Sequence, residues 1–580
     1  MKKTLLASTL ILTAASLCAQ DSPVAQWGAY LYGGTTVAQG NGIAIGKDGK
    51  AYWLNNIGTT ESKPNVMLNN DALFQGELYN SGTSATGNLT LLCTTPDGEK
   101  QWMIYSTSGD YASNQGAIAT DSNGNIVFTA KVRHGDFLDT PINIIDAQGN
   151  KTEFGGAVAQ KSYALLVAKA SADGNLLWHK YITLSTTPGE GASKDFISDA
   201  VKSTALAIDD NDNIYVGGNF SADMTVADGV TLKANNISTW SGDSQTASGS
   251  YFILKYNADG DYLTSATGND GLSQSQTLNL LWDNGALYFY GNATGENGTL
   301  TLGGRNIAIG AYQTPVLAKL GDDLHASWAR SLVAGDVSGT CVLQYSNISV
   351  SGSILWFCGM FNGVFSDAEG SDKTIASVGK TPREGALIKF DALTGEWLAG
   401  TTSRAGNFTP TATANNGLQG YLSVLQNPQK PEKCYVYGYV MNAAVGIFLR
   451  EYDATSLTPN LDHAWSIATQ GGTPTATNIA YDKTNNTAFV SGRGNKAYSL
   501  LAEPAIETIN PGAWSVLLAK YDMPADLKQE TSAITDINAE NTDVPSVYYN
   551  LQGIPVNEGQ LVPGVYIRVQ GQNSEKILIR

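Results

Sequence analysis

Residues Ala205–Phe220, ALAIDDNDNIYVGGNF, set two short apolar runs on either side of an Asp/Asn-rich turn. Such a pattern reads as a tight antiparallel hairpin, because Asx residues close the turn and the flanking β-prone residues pair across it. Versions of the stretch recur at Gly42–Asn55, Gly116–Ala130, Leu278–Gly291, Asn347–Gly359, Tyr421–Gly438 and Asn478–Gly492, seven copies in all. Aligned on the turn, the Tyr215 position holds Tyr52, Val127, Tyr288, Trp356, Tyr435 and Phe489, and the Gly218 position is glycine in five copies. The recurring aromatic predicts packing between successive repeats rather than a ligand cage. The glycine lets backbones approach closely.

Between the hairpins lies a second recurring piece: a strand ending in lysine, an Asp-Gly-type turn, then a strand beginning near tryptophan. Its clearest copies are Leu165–Trp178 (LLVAKASADGNLLW) and Leu89–Trp102 (LTLLCTTPDGEKQW). A basic residue ends the strand at Lys169, Lys255, Lys319, Lys389, Arg450 and Lys520, and tryptophan opens the next at Trp102, Trp178, Trp328 and Trp465. Two hairpin-type pieces per repeat make four strands, and a four-stranded sheet repeated seven times predicts an all-β, seven-bladed β-propeller. The last lysine strand, Val516–Asp522, has no tryptophan strand after it, while Val24–Gly33 (VAQWGAYLYG) precedes the first hairpin unpaired. Pairing the two would complete the seventh blade and remove two exposed edges.

Bulk composition agrees. The 580 residues include 62 glycines, 27 tyrosines and 11 tryptophans, with 42% hydrophobic and only 15% charged residues, a balance suited to turns and aromatic strands. The net charge is −17, or −19 without the two leader lysines, which opposes nucleic acid and anionic membrane as partners. Met1–Ala19 has Lys2 and Lys3 ahead of an apolar run too short to span a bilayer, the form of a secretory signal peptide cleaved after Ala19. A lipidated Cys18 is the competing reading, opposed by Leu17 where lipoprotein signals carry a small residue. No later stretch is long and apolar enough for a transmembrane helix.

Export permits disulfides among Cys93, Cys341, Cys358 and Cys434, but no CxxC pair occurs and the four are spread over several repeats, so a zinc site is not indicated. Cys341 and Cys358 fall in one repeat, which leaves a disulfide between them open. Cys93 takes a lysine position and Cys434 the place of Ile214, as substituted strand residues do. His134, His179, His325 and His463 are the only histidines, and no HExxH, GxSxG or P-loop spacing accompanies them. The runs Asp209–Asn213 and Asp121–Asn125 carry oxygen ligands at alternate positions as calcium loops do, yet they lack the distant glutamate, and Asx residues favour turns on their own. Asn-x-Ser/Thr sites at Asn88, Asn219, Asn292 and Asn347 carry little weight. No catalytic, cofactor-binding or metal-binding residue is assigned, and no cofactor is expected.

The pattern Asp-x-x-Asn-x-Asn-Ile-Tyr-Val-Gly-Gly-x-Phe, a polar arm such as Thr225–Lys233 (TVADGVTLK), and LLVAK-x-x-x-DG-x-x-x-W together resemble the SBBP-type β-propeller repeats of secreted bacterial proteins, over about residues 20–523. That resemblance implies a secreted propeller without assigned catalytic residues. Asp391–Trp397 (DALTGEW) resembles the docking turn of quinoprotein propellers, in one copy only and with a shifted tryptophan, so no quinone cofactor is inferred. After the polar stretch 524–543, residues 544–580 return to β pattern. Tyr548–Gly553 (YYNLQG), Gly564–Ile567 (GVYI) and Lys576–Arg580 (KILIR) resemble the C-terminal sorting domain of type IX secretion cargo in Bacteroidetes. The expected organisation is a signal peptide at 1–19, a propeller at 20–523, a linker at 524–543 and a sorting-like β module at 544–580. The expected product is a secreted or surface-exposed monomer that binds glycan or protein through inter-blade loops and meets the secretion machinery through its tail; without a functional tail signal it would stay in the periplasm. The alternative is a polysaccharide-acting enzyme with an acidic site on the propeller face, since propeller sites are assembled from different blades.

Overall fold

The computed structural model describes residues 21–579 apart from 34–37, 59–64, 70, 76–85, 108–109, 134–141, 155–162, 183–200, 221–222, 234–239, 242–243, 246–249, 269–277, 294–297, 336–341, 379–382, 404–418, 442–445, 472–474, 510–513, 530–545, 551–553 and 571–572. The leader with Cys18, His134, Cys341 and most of the 524–543 stretch lie outside the described residues. Regular structure among the described residues is β-strand, with two short 3-10 turns at Ala525–Leu527 and Glu558–Gln560. The chain divides into two compact parts, Met1–Lys528 and Gln529–Arg580.

The first part is propeller-like. In the third repeat the strands Val201–Ile208, Ile214–Phe220, Ser250–Tyr256 and Tyr262–Gly268 pair antiparallel in chain order. The same order holds over 38–106, 110–182, 278–335, 342–402 and 419–470. The last set is Thr475–Asp482, Thr487–Gly494 and Ser515–Asp522, and its fourth strand is Val24–Gly33 from the other end of the chain. The register of that pairing repeats the rule seen elsewhere: Trp27 lies opposite Lys520 as Trp178 lies opposite Lys169 and Trp328 opposite Lys319. The first strands of successive repeats pack side by side, and Thr475–Asp482 touches Ala38–Ile45 again.

Burial explains the pattern. Strands such as Ile214–Phe220 are buried along their whole length because both faces are covered by neighbouring sheets. Tyr215 sits at 0% exposure among residues of the third and fourth repeats, including Leu278, Leu287 and Phe289, as the recurring aromatic predicts. Six first strands carry a bulge near their start, which re-aims polar side chains. Asn347, Ser349 and Ser351 then donate to the carbonyls of Leu422, Val424 and Gln426 in the next repeat, at 3.1, 2.8 and 3.1 Å. Hairpin arms between second and third strands reach back onto the outer strand of the preceding repeat, as Asn65–Leu68 does on Val24–Gly33 and Val364–Asp367 on Ala326–Gly335.

The sixth repeat departs from the sequence alignment. Its register puts Glu451, not Arg450, opposite Tyr435 in the lysine column. Arg450 is instead buried against the Phe448 ring, 4.4 Å from its centroid. Residues 524–528, read from composition as linker, pack on the first part: Leu527 is 1% exposed in the same apolar cluster as Met523 and Tyr521. The second part is an antiparallel sheet of Ser546–Tyr549, Pro555–Val556, Gly564–Gln570 and Asn573–Ile579.

Candidate functional site

Antiparallel order puts the first-to-second turns of the repeats, and the third-to-fourth turns of the first six, at one end, and the remaining connections at the other. At the turn end the repeated Lys, Trp and Gly interlock. Trp27, Trp102, Trp178 and Trp328 donate their indole N–H to Pro96, Ala172, Ala258 and Ala392, each in the third-to-fourth turn of the following repeat, at 2.9–3.3 Å. The turn glycines Gly98, Gly174, Gly260 and Gly395 lie flat on those rings; an added Cβ would come within 2.9 Å of each. Lysine makes the same crossing: Lys169 donates to Ala258 O (2.8 Å) and Lys389 to Ala454 O (2.6 Å), while Lys255 reaches Asp322. The quinoprotein-like turn follows this scheme too. Gly395 meets Trp328 of the repeat before, whereas Trp397 pairs with Phe390, two residues from the docking position.

The Asp/Asn runs are closed by their own turns. Asp121 Oδ1 accepts the N–H groups of Asn123 and Asn125, and Oδ2 accepts Asn125 Nδ2 and Lys169 Nζ (2.8 Å). Asp209 accepts Asn211, Asn213 and the Tyr215 hydroxyl in the same way. Burial alone would raise the Asp121 pKa, but the bonds from Lys169 and Asn125 hold it below the usual carboxylate range. Among the described residues no group of three or more His, Cys, Asp or Glu is placed to hold a metal ion.

The sixth-to-seventh junction inverts the scheme, because the seventh repeat takes its fourth strand from the N-terminus and so has no third-to-fourth turn. Glu451 is 4% exposed and accepts Tyr435 Oη (3.1 Å), Asn460 Nδ2 (3.1 Å) and His463 Nδ1 (2.7 Å). Burial would raise its pKa; the bonds from His463 and Asn460 and the Lys433 charge lower it. Where a turn would dock, the segment Pro524–Lys528 crosses instead, with Asp526 on Lys430 (2.9 Å) and Lys433 (2.6 Å). Alignment by charge alone could not have found this cluster, since Glu451 stands one residue beyond the expected arginine.

The other residues singled out in the sequence occupy scaffold positions. His179 packs at a tilt against the arm residue Phe154, ring centroids 5.0 Å apart, and burial lowers its pKa; His325 is exposed in a turn beside Asp323. Cys93, Cys358 and Cys434 are buried thiols, and the Cys341–Cys358 pairing falls on a residue outside the described ones; burial pushes Cys93 up to about 12. Asn88, Asn219 and Asn292 are at most 2% exposed, so they are not glycan acceptors.

At the opposite end the links between repeats run from three residues (107–109) to eighteen (183–200). Near the ends of Ile214–Phe220 and Ala286–Ala293, both amide atoms of Asn219 and Nδ2 of Asn292 are buried without a protein partner. Arg493 lies over the Trp514 ring at 4.6 Å. Unclaimed buried amide groups cost about 1–3 kcal/mol each unless water or a ligand meets them.

No family model matches the chain, and no curated protein does. Among solved structures it is similar to a protein of unknown function from Dyadobacter fermentans (12% identity, TM-score 0.35, covering 70% of this chain and 94% of that one). It is also similar to the polysaccharide lyase Uly1 (8%, 0.40, 86% and 99%) and to a GH43 endo-arabinanase from Bacillus licheniformis (10%, 0.24, 63% and 97%).

Proposed function

We propose that the chain is an exported, monomeric seven-bladed propeller, closed by Val24–Gly33, that binds a glycan or a protein through the connections between its blades and does not turn its ligand over. The asymmetry of the two ends carries this reading. The turn end is consumed by Trp, Lys and Gly interlocks that a scaffold needs, whereas the connecting end joins the same rigid strands by links of three to eighteen residues. Variable links on a fixed frame are where recognition resides. Unclaimed amides at Asn219 and Asn292, and separately the half-buried Trp514 of the seventh repeat, are groups that suit hydroxyl-rich ligands. Screening the mature chain against polysaccharide and peptide panels should give binding without turnover. Turnover lost on one Asp or Glu substitution would instead establish a polysaccharide-acting enzyme.

The leader and tail supply the address. The tail sheet leaves Val547 and Ile567 44% and 37% exposed on what strand alternation makes one face, available to secretion machinery. Deleting Val544–Arg580 should retain the propeller in the periplasm; unchanged surface delivery would refute the sorting role.

A further inference from the structure

We propose that the junction between the sixth and seventh repeats is an ionic clasp that opens ahead of the rest of the ring and frees both chain ends together. The proposal rests on closure of the ring by Val24–Gly33. Elsewhere the interlock lysines that meet carboxylates are themselves buried: Lys169 and its partner Asp121 expose 6% and 0% of their side chains, Lys255 exposes 8% although its partner Asp322 exposes 72%, and Lys389 ends on a main-chain carbonyl. At the clasp the corresponding charges are wet. Asp526, Lys430 and Lys433 expose 35%, 43% and 34%.

The segment that the clasp holds is the exit of the ring. Asn427 Nδ2 donates to Asp526 O (3.1 Å) and Lys528 O (2.6 Å), Tyr481 Oη to Leu527 O (2.7 Å), and Asn486 Nδ2 to Met523 O (2.8 Å). The entering strand is tied to the same neighbourhood, with Gln26 Nε2 donating to Asp522 Oδ2 at 2.6 Å and Ala25 N–H to Leu501 O at 2.7 Å. Nearby, Glu451 and His463 back the cluster from below, Lys433 Nζ lying 3.8 Å from Glu451 Oε1. The Asp526 carboxylate meets the sixth repeat through Lys430 and Lys433, and mobile ions compete for these two contacts directly, whereas the Asn427 bond to Asp526 O is neutral. Screening acts strongly on exposed pairs and weakly on buried ones, the Debye length falling from about 10 Å at about 0.1 M salt to about 3 Å at about 1 M.

Hydrogen exchange on the full chain at low and high salt tests this. Raising salt to about 1 M should speed exchange of the Ala25, Leu527 and Lys528 amides about five- to tenfold, the scale of one charge-assisted bond, and leave the Asn125 amide beside the dry Asp121–Lys169 pair unchanged. D526N should exchange fast at the clasp in both salts. Salt-independent rates at the clasp, or equal acceleration of every repeat, would overturn the proposal. Protection of Val24–Gly33 at low salt reports closure separately, so an open ring and an absent clasp give different results.

Discussion

Gly174 and Gly124 are both left-handed, at φ +81° and +78°, but differ in what surrounds them. A Cβ on Gly174 would stand 2.5 Å from Ala147 Cβ and 2.8 Å from the Trp102 ring, whereas one on Gly124 would meet nothing within 4 Å. Both alanine variants carry the conformational penalty of about 1 kcal/mol, so urea titration should show G124A losing about that much and G174A about 2–3 kcal/mol. D121N would leave the buried Lys169 ammonium without its carboxylate, and a loss of about 3 kcal/mol is expected by the same measurement. Because the folded pKa of Asp121 is depressed, its contribution is present in full above the ordinary carboxylate pKa and disappears as pH falls through the lower folded value. The difference between wild-type and D121N stability should therefore shrink on acidification below about pH 4. The lysine, tryptophan and glycine positions were each legible as a repeat. That they meet across repeats was not, since spacing within a copy suggests that Gly395 belongs with Trp397, and only the fold brings it to Trp328.

At the scale of strands, Val24–Gly33 occupies the place that four-strand periodicity leaves vacant at the end of the chain. Its Trp27 completes the interlock with Pro96 in the first repeat, so its removal would expose two strand edges and one docking turn. Deleting residues 20–33 should lower Tm by several degrees or cause aggregation in thermal melts followed by light scattering, and an unchanged melting curve would refute the closure. Two unpaired ends were enough to foresee that partnership, because strand pairing is a local rule with few solutions. The sixth repeat was harder to read: its second and third strands pair without interruption in a register that puts Glu451 opposite Tyr435, and a search for the basic residue picks its neighbour Arg450 instead. Composition likewise missed the docking of Pro524–Lys528, whose buried anchors Pro524 and Leu527 sit in an otherwise polar stretch.

Across the whole molecule, the strands repeat and the links between them do not. Periodicity reveals what repeats, so the scaffold was readable and the ligand was not; the residues that would choose a ligand are those free of the repeat's packing constraints. The acidic total of −17 disfavours nucleic acid and anionic membrane by repulsion but does not distinguish a glycan from a protein surface. The most direct measurement replaces the two longest inter-repeat links, 183–200 and 403–418, with short Gly-Ser turns and compares ligand binding and Tm with the parent chain. Binding should fall at least about tenfold while Tm changes by no more than a few degrees, because the interlocks lie at the other end. Binding that survives both replacements, or a ring that collapses without them, would contradict the proposed function.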